Sequence, residues 1–118
     1  MKALRIPYHK SESRSFPAGH SIFTEGESGD TMYVVLEGEV DLMVKGQLVE
    51  KLGCGGVLGE MALVELAPRS ATAVARTPCK LVPVNQQRFS LLVQHKPDFA
   101  LEIMRVMAGR LRQMDARL

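Results

Sequence analysis

Residues Thr31 to Leu52 read TMYVVLEGEVDLMVKGQLVEKL, and the way apolar side chains recur in this stretch decides the fold class. Met32 to Leu36 is a short β-branched run closed by Gly38. In Val40-Asp41-Leu42-Met43-Val44, strand alternation puts Val40, Leu42 and Val44 on one face, which should point inward. Lys45-Gly46-Gln47 then supplies a tight reversal into Leu48 and Val49, and the run continues to Leu52. Working outward, similar short runs occupy Ser21 to Thr24, Ser70 to Ala75 and Lys80 to Val84, separated by turn residues. Many short strands with regular turn signals indicate an antiparallel sandwich or barrel. Gly26, Gly29 and Gly38 fall where the chain must turn, while Gly53, Gly55, Gly56 and Gly59 crowd just before Glu60 and let the backbone pass close to something.

The 118 residues fit one domain with one core. Residues 1–15 mix Lys, Arg, Ser and Pro without periodicity and read as a flexible N-terminal arm, with order beginning near Phe16. Fifteen basic residues against 13 acidic ones give a formal charge of +2, spread along the chain, so no footprint for a nucleic-acid backbone is present. Cys54 and Cys79 show neither zinc-site spacing nor the density of a secreted disulfide scaffold and are expected to be free thiols. No signal peptide opens the chain and no apolar stretch approaches a membrane span, so a cytoplasmic location is expected.

The period changes after Val84. Asn85 is placed to cap a helix that carries Phe89, Leu92 and Val93 on one side and ends before Pro97. Pro97-Asp98 opens a second helix running to the C-terminus, in which Met104, Met107, Leu111, Met114 and Leu118 recur at spacings of three and four. Two readings of this stripe stay open: it packs on the β core, or it forms a homodimer seam through residues 97–118.

Leu58 to Ala73 read LGEMALVELAPRSATA and place Glu60 and Arg69 in the most apolar, small-residue-rich segment of the chain. A charge held away from water needs an opposite charge or a hydrogen-bonding partner, either internal or a ligand. Gly-Glu-Met-Ala-Leu suits a single helical turn whose first amides attract an anion. Arg69, behind Pro68 and before the small Ser70 and Ala71, presents a guanidinium that matches phosphate oxygens in two-point geometry. Glu60 beside it is suited to accept protons from hydroxyls, and Ser70 adds a hydroxyl of its own. A ribose phosphate fits that description, whereas the competing reading is an internal Glu60–Arg69 salt bridge that pins a loop.

The same residues resemble the phosphate-binding cassette of cyclic nucleotide-binding domains: Gly-Glu-Met-Ala-Leu, a variable stretch, then Pro-Arg-Ser-Ala-Thr. Gly19 to Val40, GHSIFTEGESGDTMYVVLEGEV, resembles the early strands of that family's β-roll. The resemblance runs from about Phe16 to Leu118 and takes in both the catabolite-activator-like and the channel-type members. It implies a mainly β fold, an antiparallel double-stranded β-helix of jelly-roll type over 16–84 with a short cassette helix, followed by two helices over 85–118. It further implies that Glu60 binds the ribose 2′-hydroxyl and Arg69 the cyclic phosphate, with Gly59, Met61, Ala62, Ser70 and Ala71 completing the cradle and Leu42 and Val49 lying against the purine. Leu58 stands where many members have Phe, and Gly56 where many have Asp, which implies a looser approach to the cassette. In the catabolite-activator branch the long helix offers hydroxyls to the base, whereas the comparable turn here carries Met114 and Asp115; both cAMP and cGMP stay open as ligands, with cAMP favoured. That branch also continues into a helix-turn-helix, while the present sequence runs to Leu118.

The expected function is a bacterial regulatory domain that binds cAMP or cGMP, uses no cofactor or metal, and transmits occupancy through its C-terminal helix to an effector the sequence does not name. A module from a larger transcription regulator, channel or transporter is the alternative within that class. Pro17 to Phe23 followed by Met32 to Val40 also resembles cupin barrels, which are metal-dependent enzymes, but such a site wants clustered histidines and His9, His20 and His95 are scattered. Arg105, Arg110, Arg112 and Arg117, interspersed with Glu102 and Asp115, read as a solvated helix face; Arg110 alternatively swings toward Glu60 and links the helix to the site.

Overall fold

The computed structural model describes residues 12–117, with side chains through Gln113; residues 1–11 of the proposed arm over 1–15, the side chain of the seam position Met114, and Leu118 lie outside the residues so described. Eight strands and three helices follow in order: β1 (Arg14–Phe16), β2 (Ser21–Phe23), β3 (Thr31–Glu37), β4 (Val40–Val44), β5 (Gln47–Leu52), β6 (Val57–Leu58), α1 (Glu60–Glu65), β7 (Thr72–Ala75), β8 (Cys79–Asn85), α2 (Gln86–His95) and α3 (Pro97–Arg117). The strands form two four-stranded antiparallel sheets in the orders β1-β8-β3-β6 and β2-β7-β4-β5. The mainly β architecture with C-terminal helices is the one the sequence implied. Strand pairing starts at Arg14, two residues before the point where composition placed the onset of order.

Strand β3 explains why its sequence is apolar without a break. Tyr33 and Val35 face the space between the sheets, where they pack with Phe23, Val40, Leu42, Leu81 and other buried residues. Met32 and Val34 face the opposite way and pack with Leu63, Val82, Val84, Leu92, Phe99 and Ile103 beneath the helices. A strand covered on both faces has no side that must be polar. The helices are therefore part of the domain core.

Local chemistry sets the boundaries. Lys45 (φ 51°) and Gly46 (φ 77°) both adopt positive φ, the backbone of a two-residue type I′ hairpin joining β4 to β5. The Asn85 side chain accepts a hydrogen bond from the Arg88 amide at 2.9 Å and caps α2, as its sequence position indicated. The α2–α3 corner is closed by an edge-on contact of Phe89 and Phe99, with ring centroids 5.4 Å apart. The approach to α1 is tight where sequence implied a looser one: Leu58 is fully buried, and a Cβ on Gly56 would stand 3.0 Å from the Gly53 carbonyl and from Leu52.

Helix α3 carries two apolar faces. Phe99, Ile103 and Val106 are buried, and Met107 packs partly buried beside them. Leu101, Met104 and Leu111 are about half exposed or more, and with the exposed Ala108 they recur at intervals of three and four on a different face. Met107 thus belongs to the core side, and the uncovered stripe is Leu101, Met104, Ala108 and Leu111.

Candidate functional site

A cavity of about 770 Å³ opens between the β4–β5 hairpin, α1, the loop carrying Arg69, and α3. All nine residues singled out in the sequence line it: Leu42, Val49, Gly59, Glu60, Met61, Ala62, Arg69, Ser70 and Ala71. Phe23, Val44, Lys45, Gln47, Glu50, Met107, Arg110, Leu111 and Gln113 complete the wall. Its ionisable side chains are three cations, Lys45, Arg69 and Arg110, against two carboxylates, Glu50 and Glu60, a net charge of +1.

The loop that presents Arg69 is held at its backbone. The Arg69 amide donates to the Glu27 carbonyl at 2.8 Å, and the Gly26 amide donates to the Arg69 carbonyl at 2.9 Å. The guanidinium lies on the Phe23 ring, with Cζ 4.2 Å from the centroid. Two glycines make this path possible. A Cβ on Gly29 would fall 2.2 Å from Arg69 Nε, and one on Gly59 would fall 2.6 Å from Nη1. Part of the glycine crowding before Glu60 is therefore space for the arginine.

Arg69 is only 6% exposed, yet among the described residues no carboxylate pairs with it. Its Nη1 donates to the Gly59 carbonyl at 3.3 Å, and its Nε is buried without any acceptor. Burial pushes the guanidinium below its ordinary pKa, although Tyr33, Asp30, Glu27 and Glu60 all oppose the shift. A buried donor without an acceptor is a rare and costly arrangement.

Glu60 does not satisfy that need. It is 2% exposed in the first turn of α1, behind Gly59 in the left-handed conformation at φ 80°, and its Oε1 accepts from Arg110 Nη1. Arg110 also donates from Nε to Glu50 Oε1 at 3.0 Å and from Nη2 to the Val57 carbonyl. Burial alone would lower the Arg110 pKa, but Glu60 and Glu50 outweigh it and raise the value. The internal Glu60–Arg69 salt bridge is thus replaced by a Glu60–Arg110 pair, and Arg110 leaves the solvated face to which its neighbours Arg105 and Arg112 belong. Among the described residues no three His, Cys, Asp or Glu side chains come together as a cupin metal site would require.

The family model described as the cyclic nucleotide-binding domain matches residues 13–96, well over half the chain. The chain belongs to the cyclic nucleotide-binding domain family. A CRP-like cAMP-activated global transcriptional regulator of Mycobacterium tuberculosis is 28% identical over 108 residues, covering 87% of this chain and 48% of the regulator. The solved Thermus thermophilus catabolite activator protein superposes with a TM-score of 0.81 at 33% identity, over 89% of this chain and 52% of that one. A structure described as cAMP-bound PfPKA-R gives 0.80 at 26% identity, over 88% of this chain and 36% of that one. This cyclic nucleotide-binding domain spans about half the length of the curated relatives it matches.

Sequence reasoning found the cassette because it is contiguous; Phe23, Lys45, Gln47 and Glu50 reach the cavity from β2 and the β4–β5 hairpin, where only the resemblance marked positions, Leu42 and Val49. Arg110 had only its position to mark it. No described helix is long and apolar enough to cross a membrane.

Proposed function

We propose that the domain binds a cyclic purine nucleotide in the 770 Å³ cavity, with the cyclic phosphate on Arg69 and the ribose 2′-hydroxyl on Glu60. The observation that carries this reading is the buried guanidinium of Arg69, which has a donor without an acceptor and no carboxylate partner among the described residues. A phosphodiester supplies the missing acceptors in the two-point geometry that guanidinium favours. The net +1 of the wall suits a cyclic diester, which carries one negative charge, better than a phosphomonoester. Amides of Gly59, Met61 and Ala62, with Ser70 and Ala71, border the phosphate end, while Leu42 and Val49 offer an apolar bed for the base.

Two nucleotides remain in view. Relatives whose descriptions name cAMP support that ligand, while a neighbour 28% identical, matched over 93% of this chain and 96% of its own, comes from work described as a cyclic-GMP-dependent pathway in bacterial phytopathogenesis. The role is regulatory rather than catalytic, in keeping with the regulators among its relatives, and the domain acts in the cytoplasm. Occupancy reaches the C-terminal helix through Glu60 and Arg110: a hydroxyl on the Glu60 carboxylate changes the acceptor that α3 holds. The uncovered stripe Leu101, Met104, Ala108 and Leu111 serves as a homodimer seam, and the effector is a separate domain or protein.

Titration calorimetry with cAMP, cGMP and 5′-AMP tests the reading. Saturable binding of at least one cyclic nucleotide, tighter than that of 5′-AMP, is expected. No heat with either cyclic nucleotide at millimolar concentration would refute it.

A further inference from the structure

Strand β5 holds an irregularity that aims one carboxylate. Its pairing with β4 runs Val44 with Gln47 and Met43 with Leu48, then jumps to Leu42 with Glu50, leaving Val49 as the extra residue of a bulge. Strict alternation from Gln47 through Val49 would turn Lys51 toward the cavity and Glu50 away from it. With the bulge, the adjacent residues Val49 and Glu50 both line the cavity, and Lys51 is exposed. Bulges of this kind commonly re-aim a side chain beside a functional site.

The re-aimed carboxylate meets Arg110. Glu50 Oε1 accepts from Arg110 Nε at 3.0 Å, while the other two guanidinium nitrogens go to Glu60 Oε1 and the Val57 carbonyl. All three nitrogens of one arginine on α3 are thus spent on three elements of the roll: β5, β6 and α1. Both partners of the Glu50–Arg110 pair are mostly buried, with side-chain exposures of 22% and 19%, so the contact is screened less than a surface pair. The geometry points to Glu50 as a positioning residue for nucleotide binding: acting through Arg110, it fixes the Glu60 carboxylate and clamps α3 to the β4–β5 hairpin.

This inference rests on the proposed nucleotide site, and its sign separates it from simple electrostatics. Removing a negative charge from the wall takes its net charge from +1 to +2 and by Coulomb attraction alone would tighten an anion. Loss of positioning does the opposite. Glu50→Gln should weaken binding of cAMP or cGMP, whichever the unmodified protein holds better, by about tenfold, the scale of one charged hydrogen bond. In an Arg110→Gln background the same change should cost less than about twofold, because the two side chains act as a unit. Hydrogen exchange of residues 103–113 in the nucleotide-free protein should rise about tenfold in Glu50→Gln, with the sheets unchanged. Glu50→Asp serves as the second variant if thermal unfolding shows that Glu50→Gln is not folded. Wild-type exchange in α3 of the variant overturns the proposal whatever the titrations give, as do unchanged or tightened binding and additive losses in the double variant. If the unmodified protein binds neither nucleotide, the functional reading fails, and the exchange measurement still decides whether Glu50 clamps α3.

Discussion

Replacing Arg69 by methionine should separate binding from folding. In the nucleotide-free domain this arginine is 6% exposed, makes one 3.3 Å hydrogen bond to the Gly59 carbonyl, rests on Phe23 at 4.2 Å, and leaves Nε without an acceptor. Methionine keeps the packing on Phe23 and gives up a cation–π contact and one long hydrogen bond, roughly 1–2 kcal/mol together. Against that loss stands the removal of a buried, unpaired charge, whose desolvation costs several kcal/mol. Unfolding free energy in the absence of nucleotide should therefore fall by no more than about 1 kcal/mol, and an increase is compatible. Binding should suffer much more: losing the partner of a buried phosphate costs about 2–5 kcal/mol, or roughly 30- to 5,000-fold in Kd. Denaturant unfolding with and without nucleotide reads both quantities. The wild-type protein should gain about 2.7 kcal/mol at a nucleotide concentration of 100 Kd, and the variant should gain no more than about 0.9 kcal/mol at that same concentration, the value for a roughly 30-fold weaker Kd. Destabilisation of the free variant by more than about 3 kcal/mol, with nucleotide still stabilising it as before, would refute the reasoning, because Arg69 would then be a structural cation.

Gly29→Ala should act as a remote perturbation of Arg69, since the new methyl would sit 2.2 Å from Nε and the flexible side chain must yield. Calorimetry should show nucleotide binding weakened by about tenfold with stability changed by only about 1 kcal/mol. On α3, Ile103→Ala should cost about 2–4 kcal/mol in denaturant unfolding, because Ile103 is 2% exposed in the core beneath the helices. Met104→Glu, at a position 60% exposed, should change the stability of the monomer by less than about 0.5 kcal/mol and, if the proposed seam forms, convert dimer to monomer in sedimentation velocity. Thiol labelling of the folded protein should modify Cys54 alone, because Cys79 is buried, donates to the Thr77 and Glu39 carbonyls, and has a pKa raised by burial; a second equivalent should react only on unfolding.

Much of this was legible in the sequence because its cues are local. The runs Met32 to Leu36 and Val40 to Val44 are strands, and the hairpin at Lys45-Gly46 and the cap at Asn85 follow from turn and cap chemistry that needs no tertiary context. The strands β1 and β6, three and two residues long, carry too few positions to show a period. The bulge at Val49 was invisible for a related reason, since a single extra residue breaks alternation only when the partner strand fixes the register. On α3 a spacing of three and four described Met104 and Met107 equally well, and only packing separates them: Met107 leans on the core while Met104 faces outward. At the site the cassette placed Glu60 and Arg69 on one cavity wall, as the sequence indicated. Which of them is left without a carboxylate among the described residues depends on a third residue 50 positions from Glu60: Arg110 pairs with Glu60, and Arg69 has no such partner.

A crystal structure of the domain grown with saturating cAMP or cGMP tests the central claim most directly. The cyclic phosphate should lie within about 3 Å of the Arg69 guanidinium, with one oxygen accepting from the Nε that now has no partner, and the 2′-hydroxyl should lie against the Glu60 carboxylate. A nucleotide bound elsewhere, or one in this cavity with its phosphate away from Arg69, would contradict the account.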